Sequence, residues 1–170
     1  MELLIRSETA VDAANVFAVE AAAFGRPAEA ELVEKLQQAG VDTISLVALL
    51  DDALVGHVLF SPVTVKSDKG EFTAVALGPV AVSPDHQKEG IGSALCRQGI
   101  EACRDAGYEL AFVLGHPSYY PRFGFTSSAP YGLRCQFDVP AEVFMVLELI
   151  PDAMQNKQGT VFYHPLFADV

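Results

Sequence analysis

The chain has 170 residues, 51% hydrophobic and 19% charged, and its 22 Asp and Glu against 11 Lys and Arg give a formal net charge of −11. That hydrophobic share excludes an intrinsically disordered chain, and the length points to one domain spanning residues 1–170. The acid excess argues against nucleic-acid and anionic membrane partners, which both call for Lys and Arg.

The opening MELLIRSETAVDAAN carries Glu2, Glu8 and Asp12 where a secretory leader needs a basic head and an apolar run. No stretch approaches the ~18 apolar residues of a membrane-spanning helix. Three Cys, at 96, 103 and 135, are too few and too odd in number for a disulfide framework, and zinc-ligand spacing is absent. The expectation is a reduced, cytoplasmic protein without a metal.

Leu3 to Arg6 reads as a short strand. Ser7 or Thr9 can cap a helix whose apolar face would be Val11, Ala14, Phe17, Ala18 and Ala21, running to Phe24. After Gly25-Arg26-Pro27 a second helix carries Leu32, Val33 and Leu36 and stops near Gly40. Ile44–Leu50 and Ala53–Val65 read as strands separated by Asp51-Asp52. Ser67-Asp68-Lys69-Gly70 is hairpin-turn chemistry, returning the chain as a strand from Phe72 to Val82. Gly78-Pro79 interrupts that strand, and proline cannot donate to a ladder, so a bulge, an edge or a gap in pairing is expected. From Gly90 to Ala106 the period is helical, with Ile91, Leu95, Gly99, Ala102, Cys103 and Ala106 on one face. Leu110–Leu114 follows as a buried strand and Ser118–Arg122 as a helical turn. Further strand-like runs are Leu133–Val139, Val143–Leu149 and Thr160–Tyr163. This is a mixed α/β order, an antiparallel meander feeding one strand–helix–strand crossover.

The chemistry concentrates between Val80 and Leu95. There a strand ends at Val82, a polar loop follows, and Gly90 and Gly92 leave the backbone bare at a helix start. Free N–H groups and the positive end of the helix dipole suit a phosphate. The spacing is neither that of a nucleoside-triphosphate loop nor G-x-G-x-x-G.

Gln87-Lys88-Glu89-Gly90-Ile91-Gly92 resembles the Q/R-x-x-G-x-G/A motif of the GNAT superfamily, the GCN5-related N-acetyltransferases. Tyr120-Pro-Arg-Phe-Gly-Phe125 resembles its Y-x-x-x-G-F signature, and Ile5 to Asp12 its first strand and helix start. The doubled tyrosine in Gly115-His116-Pro117-Ser118-Tyr119-Tyr120 resembles a branch of small acetyltransferases without an agreed substrate. The resemblance implies the GNAT fold, with a mixed, mostly antiparallel central sheet and helices on both faces. It implies acetyl-CoA as cosubstrate, no metal, and transfer of the acetyl group to a small-molecule or peptide amine by direct attack in a ternary complex. A catalytically inactive coenzyme A-binding regulatory module is the alternative; a homodimer is a fair expectation in either case.

By the same resemblance, the backbone from Gln87 through Lys88, Glu89, Gly90, Ile91 and Gly92, with Ser93 beside it, would hold the coenzyme pyrophosphate. Val80, Ala81 and Val82 would offer main-chain groups to the pantetheine arm. Lys88, Arg97 or Arg122 would offset phosphate charge, although each also reads as a solvated surface charge. Tyr120 falls at the position of the proton donor to the leaving thiolate, and Tyr119 reads as packing. The acid that many relatives carry on the fourth strand falls at Ala76, so that base is absent. His116, at a strand end, is the substitute from this chain, with a water chain as the other route. His57 reads as a satisfied core residue, and Glu20, Phe24 and Glu31 as surface or core.

Overall fold

The computed structural model describes residues 2–169. Among these described residues nine strands form one sheet: β1 (Leu3–Ser7), β2 (Ile44–Leu50), β3 (Ala53–Ser67), β4 (Gly70–Val82), β5 (Leu110–Leu114), β6 (Thr126–Ser127), β7 (Leu133–Cys135), β8 (Phe144–Glu148) and β9 (Gly159–Phe162). Three α-helices accompany them: α1 (Ala13–Phe24), α2 (Ala28–Gln38) and α3 (Ile91–Asp105). The main path runs β1-β2-β3-β4-β5-β8-β6. Every pair on it is antiparallel except β4 with β5, the pair joined through α3. β9 pairs with the far end of β3, and β7 runs parallel to β9. The expected mixed, mostly antiparallel sheet is the one found. Among the described residues no helix is long and apolar enough to cross a membrane.

Side-chain alternation along the strands sorts the core into two faces. Val58 and Phe60 of β3, Val75 and Leu77 of β4, and Ala111 and Val113 of β5 pack against Ile91, Leu95, Cys96, Ile100 and Cys103 of α3. On the opposite face Val47 and Leu59 meet Val16 of α1 and Leu32, Val33 and Leu36 of α2. Further along that face Phe112, Phe144, Val146 and Val161 are covered by the C-terminal segment. Helices therefore flank both sides of the sheet.

Three features of the sheet position the site. Val58 pairs with Val80 and Phe60 with Leu77, so Leu59 stands opposite both Gly78 and Pro79, a bulge at the expected dipeptide. Gly78 takes φ +134°, a conformation side chains rarely adopt. The parallel pairing of β4 with β5 covers only Val75–Leu77 against Ala111–Val113. From Gly78 to Val82, β4 is paired to β3 alone, and its other edge lies open.

The helices depart from expectation in register. Thr9 caps a 3₁₀ turn at Ala10–Asp12 rather than α1 itself. Its backbone N–H and hydroxyl donate to Asp12, which also takes both arms of Arg6, and these bonds hold Asp12 far below the usual carboxylate range. α1 then buries Val16, Val19 and Glu20, and Val11 is 85% exposed. α3 turns Cys96 and Ile100 inward and leaves Ala106 outside. The tail strands are shorter than their patterns: β7 ends at Cys135, and β6 is a two-residue strand with no pattern to announce it.

Gly99 lets α3 lie close to the sheet. A Cβ built there would stand 2.1 Å from Cε1 of Phe60, which is fully buried. In an open helix Gly→Ala gains about 0.5–1 kcal/mol. Here the overlap is with an immovable ring, and overpacking of that kind costs about 1–3 kcal/mol. Gly99→Ala is therefore expected to lower stability in urea denaturation; a rise in midpoint would refute the close-packing argument.

Candidate functional site

α3 begins where β4 ends, and the loop between them is shaped by its backbone. Pro84–His86 makes a 3₁₀ turn, Lys88 and Gly90 take φ +67° and +87°, and Gln87 Nε2 donates to Val82 O at 3.1 Å. The first intrahelical bond runs from Ala94 N to Gly90 O at 3.1 Å. The N–H groups of Ile91, Gly92 and Ser93 consequently have no helical acceptor. They border a cavity of about 390 Å³ walled also by Val82, His86, Gln87, Lys88, Gly90, Tyr119 and Arg122. Glu89 is not in the wall; its carboxylate lies 3.5 Å from His86 Nδ1. A Cβ at Gly92 would meet Tyr119 Oη at 3.5 Å and Val82 Cγ2 at 3.6 Å, so any larger side chain fills the cradle.

Val80 and Val82 are half-buried and Ala81 is buried, all on the part of β4 whose outer edge is open. Of the three candidate cations, Lys88 and Arg122 reach the cavity. Arg97 instead stacks on Phe123, 5.0 Å from the ring centre.

The two tyrosines divide the space beyond the cradle. Tyr119 is half-buried and its hydroxyl lies 3.1 Å from Ser93 Oγ. Arg122 covers its ring at 4.2 Å and donates Nε–H to its carbonyl at 2.8 Å. Tyr119 packs as expected, against the core and edge-on to Phe123 at 5.5 Å, and the 3₁₀ turn at Tyr120–Phe123 in addition brings its hydroxyl to the start of α3. Tyr120 is buried, edge-on to Tyr119 at 5.1 Å and to Phe125 at 6.1 Å. Its ring lies where a Cβ of residue 115 would be, 2.3 Å from Cε2, so only glycine fits there. Burial raises the Tyr120 phenol above its ordinary pKa of 10.0, which keeps it a proton donor. His116 is solvent-exposed, and its carbonyl accepts from Tyr119 N at 3.1 Å.

Ala76 is buried opposite Ser61, so no acid stands there. Cys96 and Cys103 are buried, which pushes both thiols up to about 12. Neither is a thiolate at neutral pH.

A polar chain crosses the opposite face of the sheet. His57, fully buried on β3, donates Nδ1–H to Glu20 Oε2 of α1 at 2.6 Å and Nε2–H to Ser45 Oγ of β2 at 2.8 Å. Ser45 donates in turn to Glu8 Oε1, which also accepts from Gln37 at 2.8 Å. Every donor of this chain of groups is satisfied when His57 is protonated, and within it Glu20 Oε1 is buried without a partner. Burial alone would lower the His57 pKa, but the bonds to Glu20 and Glu8 outweigh it and raise it. Burial raises Glu20, against the pull of His57. At the half-buried end, burial also pushes Glu8 up, and its bonds with His57, Ser45 and Gln37 overcome that to lower it. His57 is thus the satisfied core residue expected, and Glu20 is its counterion.

The family model for the Acetyltransferase (GNAT) domain matches residues 4–127. The chain is 35% identical over 166 residues to the uncharacterized N-acetyltransferase YhbS of Escherichia coli strain K12, covering 97% of this chain and 98% of that one. It is 39% identical over 134 residues to the uncharacterized N-acetyltransferase YjhQ of the same strain, covering 77% and 74%. Among solved structures it resembles E. coli YhbS in complex with CoA, with TM-score 0.93, 34% identity, and 99% and 93% of the two chains covered. It also resembles a Brucella melitensis GNAT acetyltransferase in complex with acetyl-CoA, with TM-score 0.80, 37% identity, and 98% of each chain covered.

The buried pair generates a pH dependence. Folding raises both His57 and Glu20, so the folded chain holds their proton to higher pH than the unfolded one. For His57 that contribution is complete below its ordinary value of 6.5 and for Glu20 below its ordinary value of 4.5, and each is lost as pH rises through the folded value. Glu8 and Asp12, both lowered, contribute above the ordinary carboxylate range and lose it as pH falls. His57→Gln should cost about 3–5 kcal/mol at neutral pH, because Glu20 is left buried without its counterion. It should also abolish the alkaline decline in melting temperature; identical pH profiles for variant and wild type would dismiss the assignment.

Proposed function

The chain belongs to the GNAT acetyltransferase family, and from that premise we propose that it transfers the acetyl group of acetyl-CoA directly to an amine held beside it. It is an acetyl-CoA-dependent N-acetyltransferase; what is proposed is the route, the residues and the acceptor. The observation that carries the reading is the juxtaposition of a glycine-bare helix start with an unpaired strand edge. The three free N–H groups at Ile91–Ser93 and the positive end of α3 suit a pyrophosphate, with Lys88 and Arg122 as local cations. The open edge of β4 from Gly78 to Val82 suits an amide-bearing arm laid alongside as an added strand, which is the chemistry of pantetheine. The thioester then falls near the bulge, where β4 and β5 part.

Tyr120, a protonated phenol at neutral pH that lies edge-on to the cavity-lining Tyr119 at 5.1 Å, donates a proton to the departing thiolate. Tyr119, bonded to Ser93, shapes the cradle. His116, exposed beside Gly115, takes a proton from the incoming ammonium, directly or through water. The cysteines take no part, since protonated buried thiols are poor nucleophiles. The net charge of −11 favours a cationic amine and disfavours polyanionic acceptors. A tyrosine kept beside the cradle supports turnover over a silent coenzyme-binding module.

Two sets of variants test these roles. Gly92→Val should weaken coenzyme A binding by about tenfold or more in calorimetry, about 1.4 kcal/mol, with the fold intact. Unchanged affinity would remove the phosphate cradle. Tyr120→Phe should lower kcat by ~10²-fold with little change in acetyl-CoA affinity. Tyr119→Phe should instead raise KM for acetyl-CoA and spare kcat. Reversal of the two phenotypes would exchange the roles of the tyrosines.

A further inference from the structure

β1 ends the sheet, and its outer edge can be read group by group. Glu8 N donates to Ser45 O at 2.9 Å, continuing the register in which Leu4 meets Leu49 and Arg6 meets Val47. Leu4, Arg6 and Glu8 therefore bond to β2, and Leu3, Ile5 and Ser7 turn their backbone groups outward. The Ser7 carbonyl is already taken, by Arg6 Nη1 at 3.0 Å. Leu3 and Ile5 are left as the open rungs of this edge. The side chains beside them are apolar: Leu3 is 38% and Leu4 54% exposed, and Ile5 is half-buried against the α3 face. Exposed edges are ordinarily blunted by proline, by lysine or by brevity. At the other end of the main path, β6 is two residues long. β1 has five residues without proline or lysine, and its one charge, Arg6, is folded onto Asp12 with both arms.

We propose that β1 pairs antiparallel with β1 of a second copy of this chain, about a two-fold axis at Leu4, joining the two sheets into one. The register follows from the edge, because outward residues must face outward residues. An axis at Ile5 would set Leu3 against Ser7, whose carbonyl is occupied, and Glu2 against Glu8. An axis at Leu3 would set the exposed Leu4 against Glu2. An axis at Leu4 sets Leu3 against Ile5, so that the N–H of each meets the C=O of the other. It also sets Leu4 against Leu4 on one face and brings Glu2 opposite Arg6 at both ends. The open rungs are filled, the centre is apolar and opposite charges close the pairing. The proposal stands apart from the transferase reading, since no residue of β1 lines the coenzyme cradle. A contact this short belongs with weak interfaces, so a dissociation constant on the order of 10 μM is expected.

Sedimentation equilibrium of the full chain from about 1 to 300 μM should show a reversible monomer–dimer equilibrium. Leu4→Lys sets two ammonium groups against each other on the axis, and Leu3→Pro removes an outward N–H without touching the ladder to β2. Each should weaken the dimer at least tenfold. Each should keep the coenzyme A affinity of the wild type, and its melting temperature at concentrations where the wild type is monomeric, which separates lost pairing from lost folding. A non-bonded antiparallel pair brings Cα atoms to about 4.5 Å, within disulfide range. Leu4→Cys should therefore cross-link to itself on mild oxidation, while Leu3→Cys and the wild type should not. A wild type that is monomeric throughout, a dimer indifferent to both Leu4→Lys and Leu3→Pro, or cross-linking of Leu3→Cys in preference to Leu4→Cys would each overturn the proposal. A monomer that instead binds a synthetic strand-forming peptide of unrelated sequence, with binding lost in Leu3→Pro, would give the edge to a different chain and overturn it as well.

Discussion

The close seating of α3 on the sheet is the constraint on which the rest of the molecule depends. Gly99 admits the Phe60 ring, and Gly56 on β3 admits Leu95, to whose Cδ1 a Cβ would come within 2.9 Å. With the helix held this near, its first turn emerges beside the end of β4, and Ile91 packs into the core under the loop that precedes it. The free amides, the open strand edge and the tyrosine turn then share one small volume. A helix standing a methyl group further out would separate the amides from the strand they must serve, whatever residues the loop contained.

The bulge completes that arrangement from the other side. Two residues of β4 against one of β3 alter the direction of the strand just where β5 leaves it. Backbone groups that a continuous sheet would consume remain available. The proposed site is thus made largely of main chain, which is how an acidic protein would hold an anionic coenzyme there: the amides and helix dipole act at a few ångströms, while the carboxylates spread over the surface lie farther off and are screened.

Much of this was legible in the residues because the requirements are local. The proposed phosphate cradle calls for bare backbone at a helix start, and Gly90 and Gly92, one residue apart, supply it; a break in pairing calls for Gly78-Pro79 or its like. Long-range requirements were not legible. α1 is alanine-rich and apolar on several sides, so its period does not single out one face; its inward side is decided by Glu20, whose partner His57 lies 37 residues later. β7 alternates well to Val139, yet it pairs only from Leu133 to Cys135, because its partner β9 is short and the chain turns where Phe137 N–H meets Cys135 Sγ. The packing of Tyr119 is legible, but the contact of its hydroxyl with Ser93 is not, because the turn that directs it has no periodicity to betray it.

The ionic pair beneath α1 also constrains how the sequence can change over time. Loss of either member strands the other in a dry interior, whereas joint replacement by two apolar residues of matching volume is commonly neutral or favourable by about 1–4 kcal/mol. Position 20 and position 57 are therefore free to change together and bound when they change alone. Between a lineage that keeps glutamate and histidine and one that has an oily contact there lies a valley that single substitutions must cross at a loss. Once taken, the ionic solution is inherited because leaving it takes two steps, whether or not it is the more stable of the two.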